Sequence, residues 1–243
     1  MKKSLSSIIG FSIVQTILIL VIAILCIILI PNEFMSVATR YIVLIGIAMI
    51  LNHFWLKQQV PVFSSGIAVK DLLAPYTFEL ILILFICYGF EYNYNEGQLI
   101  NAICFSIGPG IYEEYVFRGL ILKALINRFR NANYWGIISA VIISSILFGG
   151  MHLINIIGQP VLATILQVIT AIIIGIFLAA ICIRTKSIIP GMIIHIVSNF
   201  VQSSLISSSN WFEILYYGLV IVLSVILLRP AKIKALFKLS TNI

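Results

Sequence analysis

Runs of about 20 apolar residues recur along the whole chain of 243 residues, and each is long enough to cross a hydrocarbon core of roughly 30 Å as a helix. Apolar residues make up 61% of the chain and charged residues 9%, whereas soluble domains are about a quarter charged. Because lipid offers no hydrogen bonds to the backbone, uninterrupted runs of this length indicate helices. The sequence therefore predicts an all-α, polytopic membrane protein whose residues 1–243 form one integral membrane domain.

Clusters of Pro, Gly and polar residues divide the apolar runs into eight predicted membrane-spanning segments. The first follows two lysines as a signal peptide would, but it stays apolar to Ile30 without a clear small-x-small cleavage site. We therefore expect it to be retained as a span. The predicted segments cover residues 8–30, 41–56, 72–90, 98–122, 134–155, 161–183, 188–207 and 212–228.

Basic residues lie almost entirely in alternate loops between these segments. If the N-terminus is cytoplasmic, 13 of the 15 Lys and Arg residues fall on the cytoplasmic side, and Arg40 is the only one assigned to the opposite side. The positive-inside rule therefore predicts that both termini are cytoplasmic. This distribution explains the formal charge of +7 by the orientation of the chain in the lipid bilayer, so no nucleic-acid partner is needed. The 13 residues are Lys2, Lys3, Lys57, Lys70, Lys123, Arg128, Arg130, Arg184, Lys186, Arg229, Lys232, Lys234 and Lys238.

Three charged residues interrupt the fourth predicted span: Glu113, Glu114 and Arg118. Each costs at least a few kcal/mol in a membrane unless it is paired or faces a wet cavity. Glu114 and Arg118 are spaced i, i+4 and share a helix face, whereas Glu113 lies about 100° away. We predict that Arg118 pairs with Glu114 as a structural ion pair. Glu113 then has no cation on its own helix, which suits it to act as a general base.

Two of the three histidines lie deep enough in predicted spans to join this cluster. Phe148 and His152 are spaced i, i+4 in the fifth span. Between them, Gly149 and Gly150 leave room for a neighbouring helix to approach closely. If spans four and five form a hairpin, His152 reaches a depth similar to that of Glu113.

The seventh span carries His195 and Asn199, again spaced i, i+4, so an imidazole and a carboxamide project from one helix face. Together with Glu113 and His152 they would offer a base, a second water-activating group and two neutral donors for a developing oxyanion. This combination is typical of a hydrolytic site.

The residues alone leave other functions open. The same polar groups can act as glue between helices in a non-enzymatic immunity or scaffold protein that binds a peptide or a receptor. A transporter with Glu113 as proton carrier is a third hypothesis. We find no internal repeat of the kind on which many transporters are built, which disfavours the third.

Three short motifs follow one another on three predicted membrane helices: Glu113-Glu114-x-x-x-Arg118, Phe148-x-x-x-His152 and His195-x-x-x-Asn199. In this order and with these separations they resemble the CPBP family. That family comprises CAAX-box prenyl-protein endopeptidases and bacteriocin-processing or immunity proteins, and is also called the Abi family. The motif-bearing helices lie within residues 98–207, whereas the first two spans and the tail carry no motif that we can match.

The resemblance implies an eight-helix intramembrane endopeptidase that cleaves a peptide or a membrane-protein substrate. It implies a bacterial plasma membrane location and a role in bacteriocin processing or self-immunity. It also implies a role for each motif residue: Glu113 and His152 form the hydrolytic centre, Glu114, Arg118 and Phe148 support it, and His195 with Asn199 binds the oxyanion.

Metal dependence stays open, with either no cofactor or one divalent metal. A His-Glu-His set can bind zinc and leave a position for water. The glutamate-dependent relatives imply instead that carboxylate and imidazole activate the water directly, and no His-Glu-x-x-His helix is present here.

The sequence also predicts the side from which the site opens. His195 lies about 7 residues, or roughly 10 Å, above the basic edge of its span. We therefore expect access from the cytoplasmic side.

Overall fold

The computed structural model describes residues 2–63, 69–89, 96–129, 133–204 and 210–233. Every regular element in these ranges is helical, which confirms the predicted all-α class. The α-helices are α1 (Leu5–Leu29), α2 (Glu33–Leu51), α3 (Val69–Gly89), α4 (Glu96–Glu114), α5 (Lys123–Phe129), α6 (Asn133–Met151), α7 (Val161–Thr185), α8 (Ile189–Ser204) and α9 (Asn210–Leu227).

Three of these helices continue past their ends in another helical geometry. α2 runs on as a π-helix over Asn52–Leu56, and α6 as a 3-10 helix over His152–Ile157. α4 continues as a π-helix over Tyr115–Leu122, which leads directly into α5. Departures of this kind from α geometry are frequent at functional sites. The 3-10 segment after α6 begins with His152, and the π-helix after α4 contains Arg118; both are predicted site residues.

Four helical segments among the described residues are long and apolar enough to cross a membrane: Leu5–Leu29, Glu33–Leu56, Asn133–Ile157 and Val161–Thr185. Their outward faces are apolar, and Ile28, for example, is 70% exposed. Large apolar surfaces of this kind suit lipid and not water. The chain is therefore an integral membrane protein, and the number of eight crossings stays a prediction.

The loops that were predicted to be cytoplasmic meet at one end of the bundle, which we call the basic end (residues 2–4, 57–63, 123–129, 186–188 and 228–233). Arg130, Lys234 and Lys238, which also entered the predicted topology, lie outside the described residues. Hydrogen bonds tie the basic end together, among them Asn127 Nδ2 to Gln58 Oε1 (2.8 Å), Arg128 Nη1 to the Lys3 carbonyl (3.2 Å), the Ile188 amide to the Pro61 carbonyl (2.8 Å) and the Tyr134 hydroxyl to the Leu228 carbonyl (3.1 Å).

The two glycines of the fifth predicted span have different surroundings. A Cβ at Gly149 would lie 2.8 Å from the Val168 carbonyl oxygen and against Ile172, so α6 and α7 touch here as predicted. A Cβ at Gly150 would meet nothing within 4 Å. The prediction that Gly150 also makes room for a helix is therefore wrong, because this residue points away from α7.

Gly149→Ala is expected to lower the free energy of unfolding by about 1–3 kcal/mol, because the added methyl group overpacks the contact between α6 and α7. Gly150→Ala is the matched control. It should leave stability unchanged or raise it by up to about 1 kcal/mol, since Ala favours a helix over Gly. The soluble, monodisperse fraction that remains after heating in detergent measures both effects. Equal behaviour of the two variants would contradict the packing described here.

Candidate active site

A chain of polar contacts joins the buried end of α4, and the π-helix that follows it, to α8. Arg118 Nη1 lies 2.7 Å from Glu114 Oε1, and the same oxygen accepts a hydrogen bond of 3.0 Å from His195 Nδ1. Glu114 is fully buried and Arg118 is 2% exposed. The predicted pairing of Arg118 with Glu114 is thereby confirmed. The guanidinium charge and the hydrogen bond from His195 compensate the charge of the buried carboxylate at Oε1, whereas Oε2 has no hydrogen-bond partner among the described residues.

The Arg118 guanidinium has two further neighbours that hold it in place. Its Cζ lies 4.3 Å from the centroid of the Phe148 ring, and its Nη2 donates a hydrogen bond of 3.4 Å to the Gly175 carbonyl. A cation stacked on an aromatic face is stabilised by the ring quadrupole. The three predicted supporting residues, Glu114, Arg118 and Phe148, therefore belong to one contact network.

The imidazole of His195 lies between the two glutamates of α4. A carboxylate oxygen can only accept, so His195 Nδ1 carries the hydrogen that Glu114 receives, and Nε2 of a neutral ring is then an acceptor. Nε2 lies 3.6 Å from Glu113 Oε2. The structure thus places His195 between two carboxylates, whereas the resemblance implied a position at the oxyanion.

Close packing of α4 on α8 produces this arrangement. A Cβ at Gly110 would lie 3.2 Å from the backbone nitrogen of Ile196, the residue after His195. The missing side chain lets the two backbones approach. As a result, the imidazole reaches both Glu113 and Glu114, which point about 100° apart on α4.

His152 begins the 3-10 segment after α6, and its ring is fixed by Phe148. Nδ1 donates a hydrogen bond of 3.0 Å to the Phe148 carbonyl, so Nε2 of the neutral ring is an acceptor. The Phe148 ring packs edge to face against both imidazoles, at 5.2 Å from His152 and 5.8 Å from His195. Phe148 therefore orients two imidazoles and one guanidinium at once.

One cavity of about 570 Å³ brings together the four residues that were predicted to be catalytic, Glu113, His152, His195 and Asn199. A polar cavity is the setting in which intramembrane ionisable groups normally lie. Sequence reasoning missed several other polar residues of its wall. Gln167 could have been noticed as the only glutamine in the apolar run of α7. Arg40 could have been noticed as the only basic residue predicted on the side opposite the basic loops. These further residues are Arg40, Tyr41, Asn155, Gln159 and Gln167.

The cavity lies on the side of the site residues away from the basic end. Its wall includes Gly158 and Gln159, which belong to the linker between α6 and α7 at the other end of the bundle. Towards the basic end, the residues below the site form a closed layer: Val116, Leu120, Ile121, Leu122 and Leu125 are at most 1% exposed. The expectation that the site opens towards the basic loops is therefore wrong.

That expectation considered only the few residues that separate His195 from the basic edge of its span. It left out the buried side chains of the π-helix and α5, which lie between the cavity and that edge. The loop before α8 is hydrogen-bonded to the Pro61 and Val62 carbonyls at the basic end.

The donor atoms in the cavity do not form a three-ligand metal site as arranged. Among the described residues, no group of three or more His, Cys, Asp or Glu side chains is placed to hold one ion. Glu113 and His195 converge as two donors, and His152 faces the same cavity. We therefore derive no chemical step through a metal.

Comparison with known families identifies one match. The family model described as "Type II CAAX prenyl endopeptidase Rce1-like" matches residues 95–201, which include every residue of the predicted site. No curated protein and no solved structure matches the chain. The family resemblance that the three motifs carry is thereby confirmed.

Proposed function

We propose that this chain, whose residues 95–201 match the Rce1-like type II CAAX prenyl endopeptidase model, is an intramembrane endopeptidase that uses a water molecule activated by Glu113. The observation that carries the proposal is the approach of Glu113 Oε2 to His195 Nε2 at 3.6 Å, in the wall of a polar cavity. Two acceptors at this separation can each receive one hydrogen of a single water.

Glu113 takes a proton from the water as the water oxygen attacks the scissile carbonyl carbon. The proton is then delivered to the leaving nitrogen, which completes cleavage of the C–N bond. His152 Nε2 faces the same cavity and is the second group that positions the water. The Asn199 amide donates to the oxyanion of the tetrahedral intermediate. Arg118 acts through Glu114, which holds the His195 ring in the orientation that faces Glu113.

The substrate that we propose is a peptide or a membrane-protein segment, cleaved within the membrane. Bacteriocin processing or self-immunity in a bacterial plasma membrane is the biological role that the family suggests. Product mass spectrometry on candidate peptides, incubated with the purified protein in lipid nanodiscs, tests the proposal directly.

We expect hydrolysis to persist after treatment with EDTA, because the described residues contain no ready three-ligand set for a metal. The same mass spectrometry assay measures this, with the untreated protein as control. Loss of activity on chelation that zinc restores would show that a metal takes part. Glu113 and His195 would then be its first two ligands.

We propose further that both termini are cytoplasmic and that the cavity opens on the opposite, extracytoplasmic face. Two observations support this: the basic loops meet at one end of the bundle, and the cavity wall reaches the linker at the other. Positively charged loops are retained in the cytoplasm. Substrate then arrives from the outer leaflet or the extracytoplasmic side.

Single cysteines introduced into a version without the four native cysteines test this orientation. Lys57→Cys and Gly158→Cys form a matched pair, because both positions are exposed and lie at opposite ends of the bundle. A membrane-impermeant thiol reagent should label the Gly158→Cys protein in intact cells and the Lys57→Cys protein only in inverted vesicles. The reverse pattern would overturn the proposed topology and the side of opening together.

A further inference from the structure

Arg40 is the one arginine or lysine among the described residues that line the catalytic cavity. It lies in α2, two turns from the helix start at Glu33. Its guanidinium hydrogen-bonds with the Tyr41 side chain. The buried Nε has no hydrogen-bond partner among the described residues, and none of their ion pairs includes Arg40. The proposed mechanism gives it no role.

The contrast with Arg118 shows what Arg40 lacks. Arg118 has a carboxylate at 2.7 Å, an aromatic face and a carbonyl oxygen around its guanidinium. A charged group at membrane depth is costly unless it has such a partner or reaches water. For Arg40 the cavity supplies access to water, and no carboxylate of the described residues forms an ion pair with it.

Three further polar groups of the cavity wall are neutral amides that are bound to one another. Gln167 Oε1 accepts hydrogen bonds from Asn155 Nδ2 at 2.9 Å and from Gln159 Nε2 at 2.7 Å. Glu113 is a carboxyl group and faces His195. Arg40 is therefore the group in this wall that attracts an anion.

We propose that Arg40 binds a carboxylate of the substrate and so fixes where the peptide is cut. This inference rests on the proposed peptidase function and adds a specificity residue outside the region that matches the family. The planar guanidinium can hold a carboxylate through two parallel hydrogen bonds. A peptide can offer that group as its C-terminal carboxylate or as an Asp or Glu side chain, and the two sources are separable by experiment.

Binding to the Glu113→Gln protein in nanodiscs tests the proposal without cleavage. The probes are three fluorescent forms of one apolar octapeptide: the free acid, the C-terminal amide, and the amide with one internal Asp. We expect the free acid or the Asp peptide to bind about 10- to 100-fold tighter than the plain amide, as a hydrogen bond to a charged group implies. Adding Arg40→Gln should make all three affinities equal, whereas Arg40→Lys should keep part of the preference.

The outcomes separate this inference from the proposed function. Equal or undetectable binding of all three probes to the Glu113→Gln protein overturns the Arg40 site, even if the wild type cleaves them. A preference that survives Arg40→Gln does the same. A preference that Arg40→Gln abolishes supports the site, and if the wild type then cleaves none of the peptides, the peptidase proposal alone fails. Size-exclusion profiles confirm that each variant is folded.

Discussion

Glu113→Gln is expected to lower peptide hydrolysis by about 10²- to 10⁴-fold while the protein stays folded. The amide keeps the size of the side chain and can still hydrogen bond with His195 Nε2, but it cannot take a proton from water. Initial rates from product mass spectrometry, together with thermal unfolding of the same samples, measure the two effects separately. The exposed Glu213 supplies the control, since Glu213→Gln makes the same chemical change at a residue that does not line the cavity.

Two results would contradict the assignment of Glu113. Unchanged hydrolysis in the Glu113→Gln protein would show that another group activates the water. If hydrolysis is lost but cells that express the variant keep their phenotype, the protein works as a non-enzymatic immunity or scaffold protein. The second result separates the catalytic hypothesis from the binding one on biological grounds.

Arg118→Ala should lower the free energy of unfolding by about 3–5 kcal/mol, the usual result of removing one partner from a buried ion pair. Glu114 is fully buried, and without Arg118 its charge keeps only the hydrogen bond from His195. Thermal unfolding in detergent and the yield of monodisperse protein measure the loss.

A paired variant shows whether that loss comes from charge or from packing. Arg118→Met with Glu114→Gln removes both charges and keeps most of the volume, so it should recover much of the stability lost in Arg118→Ala. Its hydrolysis should remain low, because His195 then loses its ionised partner. Wild-type stability in the Arg118→Ala protein would show that the ion pair is not structural.

Local spacing was enough to predict the parts of the site that lie on one helix. Glu114 and Arg118 pair because i, i+4 residues share a face, whatever surrounds the helix. The contact between Phe148 and His152 follows from the same spacing. Recurring apolar runs likewise sufficed for the all-helical class.

Features that depend on how helices cross could not be predicted in this way. The place of His195 between two glutamates requires the close approach of α8 at Gly110. The unequal surroundings of Gly149 and Gly150 depend on the direction from which α7 arrives. Arg40 lines the cavity because α2 packs beside α4. The sequence around it showed only a single charged residue near the end of a predicted span.

The buried layer beneath the cavity, formed by the π-helix and its neighbours, closes the site towards the basic end and leaves it open towards the other end. A polypeptide cannot thread through the bundle from one membrane face to the other, so both fragments must leave on the side from which the substrate came or sideways into lipid. Among the described residues, this layer also separates Glu113 from the basic end of the bundle. A protein built in this way can hold water around Glu113 for hydrolysis while the layer still separates the two ends of the bundle.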